Sequence, residues 1–346
     1  MADYIKENMQ VDKILIRDFK QGDEIAVNSL FNSTFHQKRP LDEWYWKFKQ
    51  NPFGKSQIFI AEKDNNIVGH FGAIPLRVYI DGVVLIAYQY LDAIVDYSCR
   101  KEGIFSSLLN YSISQGNVNE MFGMGFPNKI TYDLETDKLN IVHGLGEVDL
   151  YINYNLLPIN KENYNPALLK AKSIFKVDLF DERFDLLWEK VSHEHIISPV
   201  KDRDYLNWRY IMKPQSFYSI FASQDENEVN GFIVLKTIET MGYKKGCIVD
   251  ILSLKDAEIT EELLLYGLHY FGNQGVNLVT TYIKDSFVSK VLLQLGFERV
   301  VDEEITKKYN IEKMWLVVHN FNPRIKEEKL CNRENWRVIL GDSDWI

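Results

Sequence analysis

The alternation of apolar and polar residues predicts a strand followed by two helices at the start of the chain. Residues 13–19 (KILIRDF) alternate in the way that a half-buried strand does. Apolar residues then recur at helical spacing over 22–35. A second helix is expected over Leu41–Lys49, because Asn51-Pro52 ends the helical pattern.

The following segment reads as several strands, a helix and a further strand. Tight turns are expected at Asp64-Asn65-Asn66 and at Asp81-Gly82. A helix is expected from Gly103 to Gln115, and a strand over Met121–Phe126. The resulting order, β-α-α-β-β-β-α-β, predicts an α/β fold whose sheet is mixed, an α+β-like mixed sheet rather than an all-parallel one.

The chain also repeats itself at a distance of about 162 residues. At this shift Trp46 falls on Trp208, and Pro52 falls on Pro214. With small slips, Leu91-Asp92 meets Val249-Asp250. Several matches at one offset, in the same helix-strand-turn-strand context, predict two copies of one fold.

A linker is expected between the two copies. The segment LLPINKENYNPALLK carries two prolines and little pattern, and IFKVDLFDERFDLLWEKVSHEH after it reads as a strand and a helix. We therefore expect an N-terminal domain over 1–155 and a C-terminal domain over 156–346. A chain of 346 residues agrees with two domains.

Composition narrows the class of protein. Lys plus Arg total 40 against 49 Asp plus Glu, and this acidic balance disfavours a dedicated nucleic-acid-binding protein. Three cysteines without metal-ligand spacing predict neither a disulfide scaffold nor a metal site. We expect a cytoplasmic protein, since the sequence shows no signal peptide and no membrane span.

The two copies differ after their fourth strand. In the first copy the strand LDAIV leads through RKEG into an amphipathic helix, whereas the second copy has no glycine or arginine at this turn. A basic, glycine-containing turn at a helix start suits a phosphate, because free N–H groups and the helix dipole favour an anion. An ordinary strand-to-helix turn is the alternative.

The first copy resembles the GNAT superfamily of acyl-CoA-dependent N-acyltransferases over about residues 13–150. The family's pyrophosphate loop, Arg/Gln-x-x-Gly-x-Gly/Ala, corresponds here to RKEGIF, in which Phe105 departs from the pattern. The second copy looks like a degenerate GNAT fold, as in tandem-GNAT proteins. The resemblance implies acetyl-CoA as co-substrate and no metal. The residues that it implies for cofactor binding are Ala93, Ile94, Val95, Arg100, Lys101, Glu102, Gly103, Ile104, Phe105 and Asn128.

The same resemblance suggests an acid and a base for acyl transfer. Asp92 lies where family members often carry a carboxylate that deprotonates the amine, although the matching Asp250 in the other copy also suits a structural role. Tyr132 is the candidate acid, and it comes earlier after Asn128 than the family norm, where Glu135 stands instead. Asn128 also suits a helix cap.

Two further residues are candidates for binding the acceptor. His70, between Gly69 and Phe71 on its strand, would face an acceptor pocket or else be a buried structural histidine. Arg209 would bind an acceptor phosphate or form a buried ion pair.

Together these observations predict a tandem-GNAT N-acetyltransferase that acts by direct attack in a ternary complex. The acceptor would be a small-molecule amine, with an amino sugar as the first guess. One alternative is a peptidoglycan aminoacyltransferase that uses aminoacyl-tRNA, against which the net charge of -9 weighs. The other is a non-catalytic ligand-binding module.

Overall fold

The structure is a computed structural model that describes residues 10–11, 14–115, 122–154, 173–215, 217–240 and 242–346. The linker expected at LLPINKENYNPALLK lies outside these residues. The chain forms two mixed sheets. The strands of the first half and its border are β1 (Gln10–Val11), β2 (Ile14–Asp18), β3 (Gln57–Lys63), β4 (Asn66–Ile80), β5 (Val83–Val95), β6 (Phe122–Gly125), β7 (His143–Glu147) and β8 (Leu150–Asn153).

The strands of the second half repeat much of this succession. They are β9 (Ser173–Lys176), β10 (Ile197–Pro199), β11 (Ser219–Asp225), β12 (Glu228–Thr240), β13 (Tyr243–Ser253), β14 (Leu278–Lys284), β15 (Glu298–Arg299), β16 (Trp315–Asn320) and β17 (Val338–Ile339).

Ten α-helices of the described residues connect or cover the strands. They are α1 (Asp23–Phe35), α2 (Leu41–Phe48), α3 (Ile104–Gln115), α4 (Lys129–Asp133), α5 (Glu182–Ser192), α6 (Arg203–Leu206), α7 (Ala257–Asn273), α8 (Ser286–Gln294), α9 (Glu303–Lys308) and α10 (Glu327–Leu330). Helices α4 and α6 continue as π-helical turns over Leu134–Lys138 and Asn207–Ile211.

These elements confirm the mixed α/β fold. The helices α1 and α2 lie where the apolar spacing places them, and α3 ends at the predicted Gln115. At the two predicted hairpin turns, Asp64, Asn65 and Asp81 adopt positive φ angles of 50°, 61° and 49°. Asn and Asp tolerate this left-handed conformation, which explains why the turns carry them.

Each sheet contains strands from the other side of the expected domain boundary: β8 in the second sheet, and β16 together with β10, which pairs with β4, in the first. Strand β8 is inserted between β14 and β15 in the second sheet. Strand β16 is inserted between β6 and β7 in the first sheet. The exchange is reciprocal, so the two folds are interlocked. The division at 155/156 stays a prediction, because the sheets exchange strands across it.

The repeated tryptophans form the contact between the two folds. Trp46 and Trp208 stack with ring centroids 4.9 Å apart. The Nε1 of Trp46 donates to the carbonyl oxygen of Trp208 at 2.7 Å, and the Nε1 of Trp208 donates back to Trp46 at 3.4 Å. Reciprocal bonds between residues 162 apart are the pattern of a local two-fold relation, which supports two GNAT-like folds in tandem.

The largest hydrophobic core lies between the two sheets and draws on both halves. It includes Trp44 and Phe48 of α2 together with Phe184 and Trp188 of α5. Smaller cores lie under α3 on the first sheet and under α7 and α8 on the second. The buried interface therefore fixes the positions of the two sheets relative to each other.

Candidate active site

The first sheet opens between β5 and β6. The two strands are parallel and pair from Ala87↔Phe122 to Tyr90↔Gly125, after which the pairing stops. Just beyond this point β5 bulges against β4, and Asp92 adopts a φ of 50°. A bulge re-aims the residues around it, so the edge of β5 after Tyr90 faces the opening.

A cleft of about 580 Å³ begins at this opening and reaches the second half of the chain. Its walls come from both halves and from the last residues of the chain. They include Phe31, Lys47, Tyr90, Leu91, Asp92, Ala93, Phe126, Pro127, Asn128, Thr131, Glu135, Lys213, Lys236, Asp344, Trp345 and Ile346. The cleft thus brings the predicted residues Asp92, Ala93 and Asn128 together with residues that lie far from them in sequence.

Asp92 is held between two cations. Its carboxylate lies 2.5 Å from Nη1 of Arg39 and 3.0 Å from Nζ of Lys47, and its side chain is 1% exposed. Burial alone would raise the pKa of Asp92, but the charges of Lys47 and Arg39 outweigh burial and hold the pKa well below its ordinary value. The carboxylate is therefore ionised and has little affinity for a proton.

His70 supports the bulge from behind. The carbonyl oxygen of Asp92 accepts a hydrogen bond from Nδ1 of His70 at 2.7 Å. The imidazole is fully buried and packs edge-on against Phe48. Burial, as the largest cause, lowers the pKa of His70 to about 4, so the ring is neutral at pH 7. His70 is not among the described residues that line the cleft.

The predicted phosphate loop lies between β5 and α3. Lys101 and Gly103 take positive φ angles of 72° and 79°, which turn the chain sharply into the helix. The guanidinium of Arg100 lies over the ring of Tyr97, and Glu102 pairs with Lys63 at 2.7 Å. Ile104 and Phe105 pack into the core beneath α3 instead of facing the loop.

The segment that leads into this loop keeps its pairing with β4 on one side only. Ile94 pairs with His70 and Val95 pairs with Gly69, while β6 has already ended on the other side. Ala93 lines the cleft. The free edge of β5 therefore presents backbone groups along the opening.

The helix after β6 contacts both the cleft and the first sheet. The side chain of Asn128 caps the helix by accepting from the N–H of Thr131 at 3.0 Å. Asn128, Thr131 and Glu135 follow at helical spacing and all line the cleft. The Tyr132 side chain instead packs against β16 and β7, where its ring is 4.6 Å from that of Trp315 and its hydroxyl lies over Gly144.

Glu135 is the cleft residue that sequence reasoning passed over. Its residue surface is only 7% exposed, and burial raises its pKa to about 8. Tyr132, the predicted acid, does not line the cleft in the described part of the chain. Helical spacing from Asn128 does not separate the two residues, because positions three, four and seven residues later share one face and the turn Leu134–Lys138 is π-helical.

Arg209 binds the end of the chain. Its Nε donates to the carbonyl oxygen of Gly341 at 3.1 Å, and its Nη2 donates to those of Ser343 and Ile346. Lys213 also donates to Ile346, at 2.9 Å. Arg209 itself is buried and does not line the large cleft, so it acts on that cleft through the segment that it holds.

Arg39 and Lys47 were detectable in the sequence repeat. At the shift of 162 residues, Arg39 falls on Lys201 and Lys47 falls on Arg209, so each copy carries two cations in the same places. Both pairs bind buried acceptors in the structure. Extending the repeat to charged residues would have identified the partners of Asp92.

Residues 15–132 match a family model described as Acetyltransferase (GNAT) domain. The resemblance of the first copy to the GNAT superfamily is therefore confirmed for this segment, and the two sheets agree with a tandem arrangement. The sequence matches none of the curated proteins. In the described residues, every helix is too short or too polar to cross a membrane.

Two solved structures share the architecture of nearly the whole chain. One is a GCN5-related N-acetyltransferase from Anabaena variabilis, with a TM-score of 0.64 and 9% identity over 89% of this chain and 73% of that one. The other is N-myristoyltransferase of Saccharomyces cerevisiae with bound myristoyl-CoA, with a TM-score of 0.61 and 10% identity over 92% of this chain and 86% of that one. At these identities the likeness concerns the fold.

Proposed function

We propose that the protein is an N-acyltransferase that moves an acyl group, acetyl in the first instance, from acyl-CoA to the amine of a small molecule. The observation that carries the proposal is the opening between β5 and β6, which leads into a cleft walled by both halves. The GNAT match covers this opening, and the S. cerevisiae neighbour is described with bound myristoyl-CoA.

Acyl-CoA would lie along the free edge of β5. The backbone of Ala93, Ile94 and Val95 would bind the pantetheine arm, and the turn from Arg100 to Phe105 would receive the pyrophosphate. Arg100 and Lys101 supply positive charge there, and Gly103 lets the backbone approach the ligand closely. Asn128, three residues after the end of β6, lines the same cleft and would lie near the thioester.

The acceptor would enter from the side of the second half. Arg209 and Lys213 hold residues 341–346 against the cleft, so this segment would form part of the acceptor pocket. His70 would contribute by holding the bulge at Asp92. A cytoplasmic amino sugar remains our first candidate for the acceptor, by analogy within the superfamily.

Asp92 suits a positioning role better than that of a base in this mechanism. A carboxylate paired with Arg39 and Lys47 stays ionised and fixes the backbone of β5 at the point where the thioester would lie. Direct attack requires a correctly placed thioester and a neutral amine, and placement alone can lower the barrier by several kcal/mol.

Calorimetric titration with acetyl-CoA tests the first step. We expect the wild type to bind acetyl-CoA with a Kd in the micromolar range. Arg100→Glu should weaken this affinity by at least about tenfold, since a charge-assisted hydrogen bond to phosphate contributes about 1.5–3 kcal/mol to binding. Lys290→Glu, a charge reversal at an exposed position of α8, is the matched control and should bind as the wild type does.

Unchanged affinity of Arg100→Glu would contradict the loop assignment. Thiol release from acetyl-CoA in the presence of a panel of amines then tests transfer. Binding without thiol release for any amine would favour a non-catalytic ligand-binding module.

A further inference from the structure

Five carboxyl groups line the cleft, and four of them are accounted for. Asp92 pairs with Arg39 and Lys47, as described above. Glu43 lies 3.7 Å from Nζ of Lys213, and Asp344 lies 3.8 Å from Nζ of Lys47. Glu312 is exposed to solvent. The carboxyl group that remains is that of Glu135.

Glu135 is buried without a cation within salt-bridge distance among the described residues. A buried carboxyl that lacks a counter-charge is costly in its ionised form, and such groups concentrate where proton transfer is needed.

We propose that Glu135 is the catalytic base of this cleft, which takes a proton from the acceptor ammonium group before the amine attacks the thioester. The inference rests on the proposed function and deepens it. Glu135 stands on the wall formed by the helix after β6, and Asp92 and Ala93 stand on the wall formed by β5. An amine that attacks a thioester bound along β5 would approach through the space between these walls.

The protons and bonds balance as follows. The ammonium group gives one proton to the Glu135 carboxylate and becomes a neutral amine. Its nitrogen bonds to the thioester carbon, the C–S bond breaks, and the second nitrogen proton is passed to the leaving CoA thiolate. Glu135 then releases its proton to solvent, so the net products are the amide, CoA thiol and one proton.

The charge state of Glu135 suits this task near neutral pH. Because burial raises its pKa to about 8, the group exchanges protons readily in the range where amines are deprotonated. Tyr90 on β5 also lines the cleft, and its pKa is raised by burial and by the charge of Glu135. The cations of the same cleft are Lys47, Lys213 and Lys236.

Glu135→Gln tests the proposal, since glutamine keeps the size of the side chain and cannot accept the proton. We expect kcat/KM of the wild type to rise with pH through about 8 and the variant to lose about 10²- to 10⁴-fold together with this limb of the profile. The Kd for acetyl-CoA, by calorimetry, should stay within about threefold of the wild type. Glu135→Asp should recover part of the rate.

Asp137→Asn is the matched control, because it removes an exposed carboxyl two residues away on the same helix. It should keep the wild-type profile. A Glu135→Gln enzyme with wild-type kcat/KM and an unchanged pH limb would overturn the role of Glu135 alone. A wild-type protein that neither binds acetyl-CoA nor releases thiol with any amine would overturn the proposed function as well, so the two failures are distinguishable.

Discussion

The two sheets contain the same parallel strand pair, but the cavities beside the two pairs differ in size, at about 580 Å³ in the first sheet and about 180 Å³ in the second. In the first sheet β5 and β6 separate after Tyr90↔Gly125, and the space between them is accessible. In the second sheet β13 and β14 separate after Cys247↔Thr280, and β17 pairs with the free part of β14. The chain itself thus occupies the space beside the free part of β14, and the smaller cavity lies next to it.

The aspartates near the two strand pairs differ in their surroundings. Asp92 borders the cleft, whereas Asp250 is completely buried with Lys201, Tyr210 and Asp342. Lys201 lies 2.7 Å from Asp250, and Tyr210 donates to the same carboxylate at 2.6 Å. In the second copy the aspartate therefore belongs to a buried, stabilising charge cluster, whereas in the first copy it lies beside the cleft.

The helix starts that follow the two strands differ as well. Before α7, the carboxylate of Asp256 accepts from the N–H groups of Glu258 and Ile259. Before α3 stand Arg100 and Lys101, whose positive charge suits an external anion. In the second copy the chain supplies its own anion, whereas the proposed function assigns this place in the first copy to an external phosphate.

The largest difference between the copies should appear on removal of their cations. Lys201→Ala leaves Asp250 and Asp342 buried together without a counter-charge, and we expect the free energy of unfolding to fall by about 3–5 kcal/mol. Urea denaturation measures the change, with Lys290→Ala as the exposed control. A loss below about 1 kcal/mol would contradict a stabilising role for this cluster.

The corresponding change in the first copy should be milder. Lys47→Ala leaves Asp92 paired with Arg39, so we expect a loss of only about 1–2 kcal/mol in the same denaturation experiment. If Lys47→Ala lowers the free energy of unfolding as much as Lys201→Ala does, the proposed difference between the two charge clusters is wrong.

A third effect is the pH dependence of stability at Glu135. Its folded-state pKa of about 8 lies above the ordinary value of 4.5, so the unfolded chain gives up this proton first as pH rises. The contribution of Glu135 to the free energy of unfolding is therefore fully present below about pH 4.5, and it is lost as the pH rises to about 8. Glu135→Gln should raise Tm by roughly 2–5 °C at about pH 9 and leave it nearly unchanged at about pH 5.

Calorimetric scans at the two pH values measure this difference. An equal shift in Tm at both would mean that Glu135 titrates normally in the folded protein, and the proposed base would lose its electrostatic support.

Local patterns predicted much of this fold. The spacing of apolar residues located α1, α2 and α3, and the matches at 162 residues, Trp46 with Trp208 among them, anticipated the two copies. The reciprocal exchange of β8 and β16 was not predictable in this way, because strand partners far apart in sequence leave no local periodicity.

The site was predictable only where a motif or a repeat marks it. The turn at Arg100–Phe105 and the strand before it followed from their sequence. The choice between Tyr132 and Glu135 depended on which of the two side chains meets the cleft, and this is fixed by the packing of Tyr132 against Trp315. The pairing of β17 with the free part of β14 depends on tertiary contacts alone.

The most direct test of the functional difference between the copies is a crystal structure of the protein grown with CoA. We predict electron density for CoA along β5, with its pyrophosphate at Arg100–Phe105 and its thiol in the cleft beside Asp92 and Glu135, and none between β13 and β14. CoA bound at the second strand pair, or a first cleft that stays empty at saturating CoA, would contradict this assignment.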